Sequence, residues 1–117
     1  NPSPALPEGL VALVRGGESR WRSTPYPGVT AKRLFSDKES GNATWLLELD
    51  PGAVYPSHRH AVAEHCYVIE GDVVFANYAL AQGDYGVAAT GSHHAPFTTQ
   101  NGCLLLIMNN DHDEVFH

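Results

Sequence analysis

The sequence has little of what marks several common classes of protein. It contains two cysteines, Cys66 and Cys103, too few for the disulfide framework of a small secreted domain. No apolar run approaches the roughly 18 residues that suggest a transmembrane helix. Seven Lys and Arg stand against thirteen Asp and Glu, giving a net charge of −6. Because a nucleic-acid partner calls for clustered basic residues, we expect neither a nucleic-acid nor a membrane partner.

The N-terminus also lacks the features of a secretory signal peptide. Residues 1–4 read Asn-Pro-Ser-Pro, without a charged segment or an apolar segment. We therefore expect a cytoplasmic protein in which Cys66 and Cys103 are buried thiols rather than a disulfide. The chain has 117 residues, of which 43% are hydrophobic and 17% charged. These values are typical of one folded domain with a single core.

The sequence does contain a series of short β-type segments. From Val29 onward, runs rich in Val, Leu, Tyr, Phe and Trp alternate with Gly, Asn, Asp and Pro, and no long helical period appears. The predicted strands are 29–35, 43–49, 54–60, 65–70, 73–78, 85–89, 95–99 and 103–109. Gly71-Asp72 and Asn101-Gly102 are interpreted as hairpin turns. The pattern predicts an all-β sandwich or barrel over residues 29–109, with an N-terminal arm (1–28) and an acidic C-terminal tail (110–117).

Histidine is unusually frequent, with seven residues, as many as all Lys and Arg together. His58 and His60 are two positions apart, so on a strand both imidazoles point to the same face. Glu64 has the same parity and reaches the same ion if the chain bends at residues 61–63. A further donor, from His93-His94, would come from another strand. Such nitrogen and carboxylate donors suit a divalent transition metal.

One segment resembles the first motif of the cupin superfamily. It reads Gly52-x5-His58-x-His60-x3-Glu64-x6-Gly71 and matches that motif at every fixed position and spacing. The resemblance implies a double-stranded β-helix, or jelly-roll, barrel with a metal ion held inside it.

A second segment resembles the second cupin motif and reads Gly83-x5-Ala89-x-Gly91-x2-His94-x3-Thr98. It departs from the motif at Ala89, where the family has Pro, and at Thr98, where it has Asn. Together the two resemblances imply that His58, His60, Glu64 and His94 hold one divalent transition metal: Zn, Fe, Mn or Ni, with Zn or Fe favoured.

A narrower resemblance is to the ChrR-type cupin. This is the C-terminal sensory domain of zinc anti-sigma factors, also found alone and in small metal-dependent dioxygenase-like proteins. The resemblance rests on Tyr26-Pro-Gly-Val29, Asp50-Pro-Gly52, Val68-Ile-Glu-Gly71-Asp72 and Gly91-Ser92-x-His94-x-Pro96. The family often has Glu-Glu where this chain has Glu64-His65. The sigma-binding domain of those anti-sigma factors has no counterpart in these residues, so we do not expect this chain alone to bind a sigma factor. Cupin barrels commonly pair, so a homodimer is expected.

Three functions remain open from the sequence. The first is a small dioxygenase-like metalloenzyme acting on a diketone or hydroxyketone, with Glu64 as the candidate catalytic residue for proton transfer. The second is a metal-dependent sensor or ligand-binding domain without catalysis, of the anti-sigma-factor type. The third is a scaffold in which the metal only stabilises the barrel.

Strand parity separates the other candidates. It turns Arg59, His65 and His93 away from the metal face. His112 and His117 lie outside the strands, in the acidic tail. The candidates for lining a ligand pocket are Tyr55, Cys66, Phe75, Tyr85 and Phe97. The residues expected in the core or pocket wall are Trp45, Leu47, Leu49, Val68, Leu104, Leu106 and Met108.

Overall fold

The computed structural model describes residues 5–56, 63–92 and 95–110, and within these ranges it contains nine β-strands. The strands are β1 Arg22–Ser23, β2 Val29–Ser36, β3 Asn42–Leu49, β4 Val54–Tyr55, β5 Glu64–Phe75, β6 Tyr78–Ala81, β7 Tyr85–Ala88, β8 Phe97–Thr98 and β9 Cys103–Asn110. Nowhere in these ranges does a helix occur that is long and apolar enough to cross a membrane. The predicted all-β class is confirmed.

The strands form two antiparallel sheets that share the long strand β5. The first sheet has the order β1-β2-β3-β9-β5-β7, and the second has the order β4-β8-β5-β6. The first residues of β5 pair with β7, and its last residues pair with β6. On the opposite side, β9 pairs with the first part of β5 and β8 with the last part. The sheets therefore curl around one interior.

The course of β5 differs from the sequence prediction. Two strands with a hairpin at Gly71-Asp72 were expected, but one strand runs through these residues and the reversal comes at Ala76-Asn77. Asn101-Gly102 is not a hairpin turn either, because it joins β8 and β9, which pair with successive parts of β5. Both predicted hairpins were wrong because a Gly-containing dipeptide also occurs where two chain segments pass unusually close together.

Gly71 and Gly102 form such a close approach. Both have positive φ, 87° and 95°. A Cβ on Gly71 would overlap the carbonyl oxygen of Gly102 and lie 2.7 Å from Cα of Cys103. The two glycines therefore allow β5 to continue from the first sheet into the second.

Asp72 and Thr99 hold this crossing together. The Asp72 carboxylate accepts hydrogen bonds from the backbone N–H groups of Gln100 (3.0 Å) and Asn101 (3.1 Å). The Thr99 hydroxyl donates to the Asp72 carbonyl (2.6 Å) and accepts from the Gly102 N–H (2.9 Å). The N–H of Gln100 is the main cause that lowers the pKa of Asp72, because it stabilises the ionised form.

The core consists of alternate residues of the long strands. Of the residues expected there, Trp45, Leu47, Leu49 and Val68 are buried. Leu104, Leu106 and Met108 were assigned to the wrong face of β9, since the buried hydrophobic residues of that strand are Cys103, Leu105 and Ile107. β9 is apolar on both faces, so its parity is decided by pairing with β3, where Ile107 lies opposite Trp45.

Candidate metal and ligand site

The barrel interior changes from apolar to polar along the first sheet. One layer across neighbouring strands consists of the fully buried Leu47, Leu105 and Val68. The next layer contains Trp45, Ile107, Cys66 and Gly86. The layer beyond contains Ala43, Asn109, Glu64 and Ala88. The polar side chains therefore lie at the end of the barrel where β5 begins.

Glu64 is the predicted metal ligand that the structure describes. It is the first residue of β5 and only 3% exposed. It borders a cavity of about 120 Å³ whose other described walls include Phe75, Leu80 and Phe97. Carboxylates are rarely buried to this extent unless they bind a cation or accept hydrogen bonds.

The predicted histidine ligands His58, His60 and His94 lie outside the described residues, as do Arg59 and His93. Within the described residues, no group of three or more His, Cys, Asp and Glu side chains is placed to hold a metal. The donor chemistry nevertheless fits, since a buried carboxylate and imidazole nitrogens are ligands that borderline divalent metals accept. His112 and His117 also lie outside the described residues.

The structure brings three of the five pocket candidates together with Glu64. Cys66, Phe75 and Phe97 border the same cavity, and the rings of Phe75 and Phe97 meet edge to face with centroids 5.4 Å apart. Cys66 comes from the first part of β5 and Phe75 from its last residue. The continuous β5 is therefore what places both ends of one strand around one cavity.

The two tyrosine candidates lie elsewhere. Tyr55 is 1% exposed, stacks on Phe97 with centroids 5.9 Å apart, and meets Tyr26 edge-on at 5.8 Å. It packs behind Phe97 in the core. Tyr85 is 53% exposed on the outer face of the first sheet, and its hydroxyl contacts Nδ1 of His65. His65 lies on this outer face as its strand parity predicts.

Both cysteines are free and buried, as expected. Burial and, to a smaller extent, the nearby charge of Glu64 raise the pKa of Cys66 to about 12. Burial also raises the pKa of Cys103 to about 11. Both thiols are therefore protonated at neutral pH and are poor nucleophiles.

Asn109 is a residue that the sequence reasoning missed. It is 4% exposed, and neither its Nδ2 nor its Oδ1 has a hydrogen-bond partner among the described residues. The available signal was the polar pair Asn109-Asn110 at the end of an otherwise apolar strand.

The fold resembles that of solved cupins. Acetylacetone dioxygenase from Acinetobacter johnsonii superposes with a TM-score of 0.73 at 14% identity, covering 94% of this chain and 79% of that one. The polyketide cyclase RemF from Streptomyces resistomycificus gives 0.70 at 18% identity, covering 90% and 82%. At these identities the likeness shows the fold alone. No curated protein matches the sequence.

A further similarity is to ChrR. The structure of Rhodobacter sphaeroides SigE in complex with the anti-sigma factor ChrR superposes with a TM-score of 0.68 at 25% identity, covering 82% of this chain. This chain spans about half (51%) of that one. The model of the ChrR cupin-like domain matches residues 11–113. The chain therefore belongs to the ChrR cupin-like family.

Proposed function

We propose that this chain is a metal-dependent cupin that binds a small organic molecule inside its barrel and oxidises it with dioxygen. The observation that carries this proposal is the buried carboxylate of Glu64 on the wall of an otherwise largely apolar cavity. The fold shared with an acetylacetone dioxygenase supports it. The proposal includes a cytoplasmic location and a barrel spanning residues 29–109.

In this proposal His58, His60, Glu64 and His94 hold one divalent transition metal, with Zn or Fe favoured. The bound metal supplies Lewis acidity that polarises an oxygen atom of the substrate. Phe75 and Phe97 pack against the hydrocarbon part of the substrate and exclude water from it. An oxygen of the Glu64 carboxylate accepts a proton from the substrate.

The cavity limits the size of the substrate. A protein cavity of about 150 Å³ holds benzene, so a cavity of about 120 Å³ takes about five or six non-hydrogen atoms. A small diketone or hydroxyketone fits this limit, because two oxygen atoms provide the polar end and a short carbon chain meets the aromatic wall.

The test combines metal analysis with oxygen consumption. Protein purified without an affinity tag should contain one equivalent of metal, and the iron-loaded form should consume oxygen with a small diketone or hydroxyketone. Phe75→Ala should raise KM more than it lowers kcat, since it removes packing that substrate and transition state share. Stoichiometric zinc with no oxygen consumption by any metal form would refute the catalytic proposal.

The second candidate is a sensor domain in which metal or ligand binding changes the protein's interactions without catalysis. The observation that favours it is the match to the ChrR cupin-like family, whose namesake occurs in a complex with SigE. In that case ligand binding should alter stability or association while no product forms.

The proposal also includes a homodimer. The outer face of the first sheet carries exposed apolar side chains on neighbouring strands, with Tyr67 opposite Tyr85 and with Val87 and Met108 on either side of His65. Contiguous apolar surface of this kind is typical of protein interfaces. Light scattering after size exclusion should give about twice the chain mass of 12.7 kDa, whereas a monomer would exclude the dimer.

A further inference from the structure

The Asn109 side chain is buried without the hydrogen bonds that a carboxamide normally makes. A carboxamide has an acceptor oxygen and two N–H donors, and neither Oδ1 nor Nδ2 of Asn109 meets a partner among the described residues. Leaving such buried polar groups without hydrogen bonds destabilises the folded state. No hydrogen bond within the described residues offsets this destabilisation, which points to a bound ligand as the partner of the carboxamide.

The neighbouring Asn110 shows the contrast. It is 3% exposed, and its Nδ2 donates to the carbonyl of Ser40 (2.8 Å) and to Oδ1 of Asn42 (3.0 Å). Asn110 therefore ties the end of β9 to the turn before β3. Asn109, on the opposite face of the same strand, makes no such connection.

The placement of Asn109 connects it to the candidate site. His65 pairs with Met108 in antiparallel register, and Glu64 and Asn109 are the residues of the two strands next to this last pair. Asn109 also borders a groove of about 440 Å³ at this end of the barrel, together with Asn42 and Ala63. Its side chain lies in the same polar layer as Glu64, and the groove is also bordered by the outward-facing His65 and Met108.

We infer that the Asn109 carboxamide binds the polar end of the ligand, which must present a hydrogen-bond acceptor and a donor side by side. A carboxamide or an α-hydroxyketone has this pattern and matches Nδ2–H and Oδ1 at once. This inference rests on the proposed function for the presence of a ligand in the barrel.

The experiment compares Asn109→Leu with Asn110→Leu in the full chain. The probes are acetamide and hydroxyacetone, and binding is followed by NMR of the ¹⁵N-labelled protein. In the wild type, the Asn109 side-chain amide resonances should shift on addition of at least one probe. Asn109→Leu should weaken binding of that probe by about ten-fold or more, since it removes two hydrogen bonds.

Stability provides the second readout. Asn109→Leu should be at least as stable as the wild type, because it replaces unsatisfied polar atoms with an apolar group of similar shape. Asn110→Leu should unfold at a lower urea concentration, because it removes two made hydrogen bonds. A destabilised Asn109→Leu would show a structural role and overturn the inference. Wild-type amide resonances that neither probe shifts would overturn it as well.

The same samples separate this inference from the proposed function. The metal content of the wild type tests the proposed function alone, and Asn109→Leu should leave that content unchanged. If the wild type holds no metal, the proposed function fails, while the amide shifts and the stability order still decide the role of Asn109.

Discussion

Replacing Gly71 with alanine should strongly destabilise the protein, because both its backbone conformation and its close contact with another strand require a glycine. Its φ of 87° costs a residue with a Cβ about 1–2 kcal/mol. The new Cβ would also overlap the Gly102 carbonyl oxygen and lie 2.7 Å from Cα of Cys103. Both obstacles are backbone atoms, so relief requires moving a strand, at about 1–3 kcal/mol. The expected total loss is about 2–5 kcal/mol.

Gly83→Ala is the matched control. Gly83 has a similar φ of 91°, but a Cβ there would meet nothing within 4 Å. It should therefore cost only the backbone term of about 1–2 kcal/mol. Urea denaturation followed by tryptophan fluorescence gives both free energies of unfolding. Equal losses for the two variants would refute the argument that β5 and β9 are held in contact at Gly71.

Three further predictions follow from the described contacts and the predicted ligands. The lowered pKa of Asp72 means that its ionised form stabilises the fold above the unfolded pKa of about 4. Wild type should therefore exceed Asp72→Asn in urea midpoint at pH 7, and the gap should shrink as the pH falls through the folded pKa. In a Cys66→Ser background, the pKa of about 11 at Cys103 predicts slow reaction with a disulfide reagent at pH 8 until urea unfolds the chain; rapid native labelling would contradict it. His58→Ala should lose metal and stability together, whereas His65→Ala should lose neither, as elemental analysis and thermal unfolding will show.

The long strands β2 and β3 could be predicted to within one residue at each end. Polar or turn-forming residues flank both, so the local pattern contained the information. The course of β5 could not be predicted, because Gly71-Asp72 has the composition of a hairpin turn. The glycine is needed there for a contact with Gly102, thirty-one positions away in the sequence, and no local pattern reveals such a contact.

The sequence also could not predict which residues of β9 point into the barrel. Six consecutive apolar residues, Cys103–Met108, allow either parity. The wrong parity hid Asn109 as well, since its burial follows from the same register that buries Ile107 and Leu105. Tyr85 is an aromatic residue of the kind that lines ligand pockets, but its pairing with Tyr67 places it on the outer face.

The part of the candidate site that lies within a sequence motif was easier to predict. The motif spacing placed Glu64 inside the barrel, and the structure buries it at the start of β5. Phe75 and Phe97 were also among the pocket candidates, but only the fold shows that they border one cavity with Glu64, because they meet through the two sheets.

The most direct test of the account is a crystal structure with anomalous diffraction data at the absorption edge of the metal found by elemental analysis. The account predicts one anomalous peak inside the barrel, about 2.0–2.2 Å from a Glu64 carboxylate oxygen and from imidazole nitrogens of His58, His60 and His94. A peak elsewhere, or a metal-loaded crystal in which Glu64 faces no metal, would contradict the account.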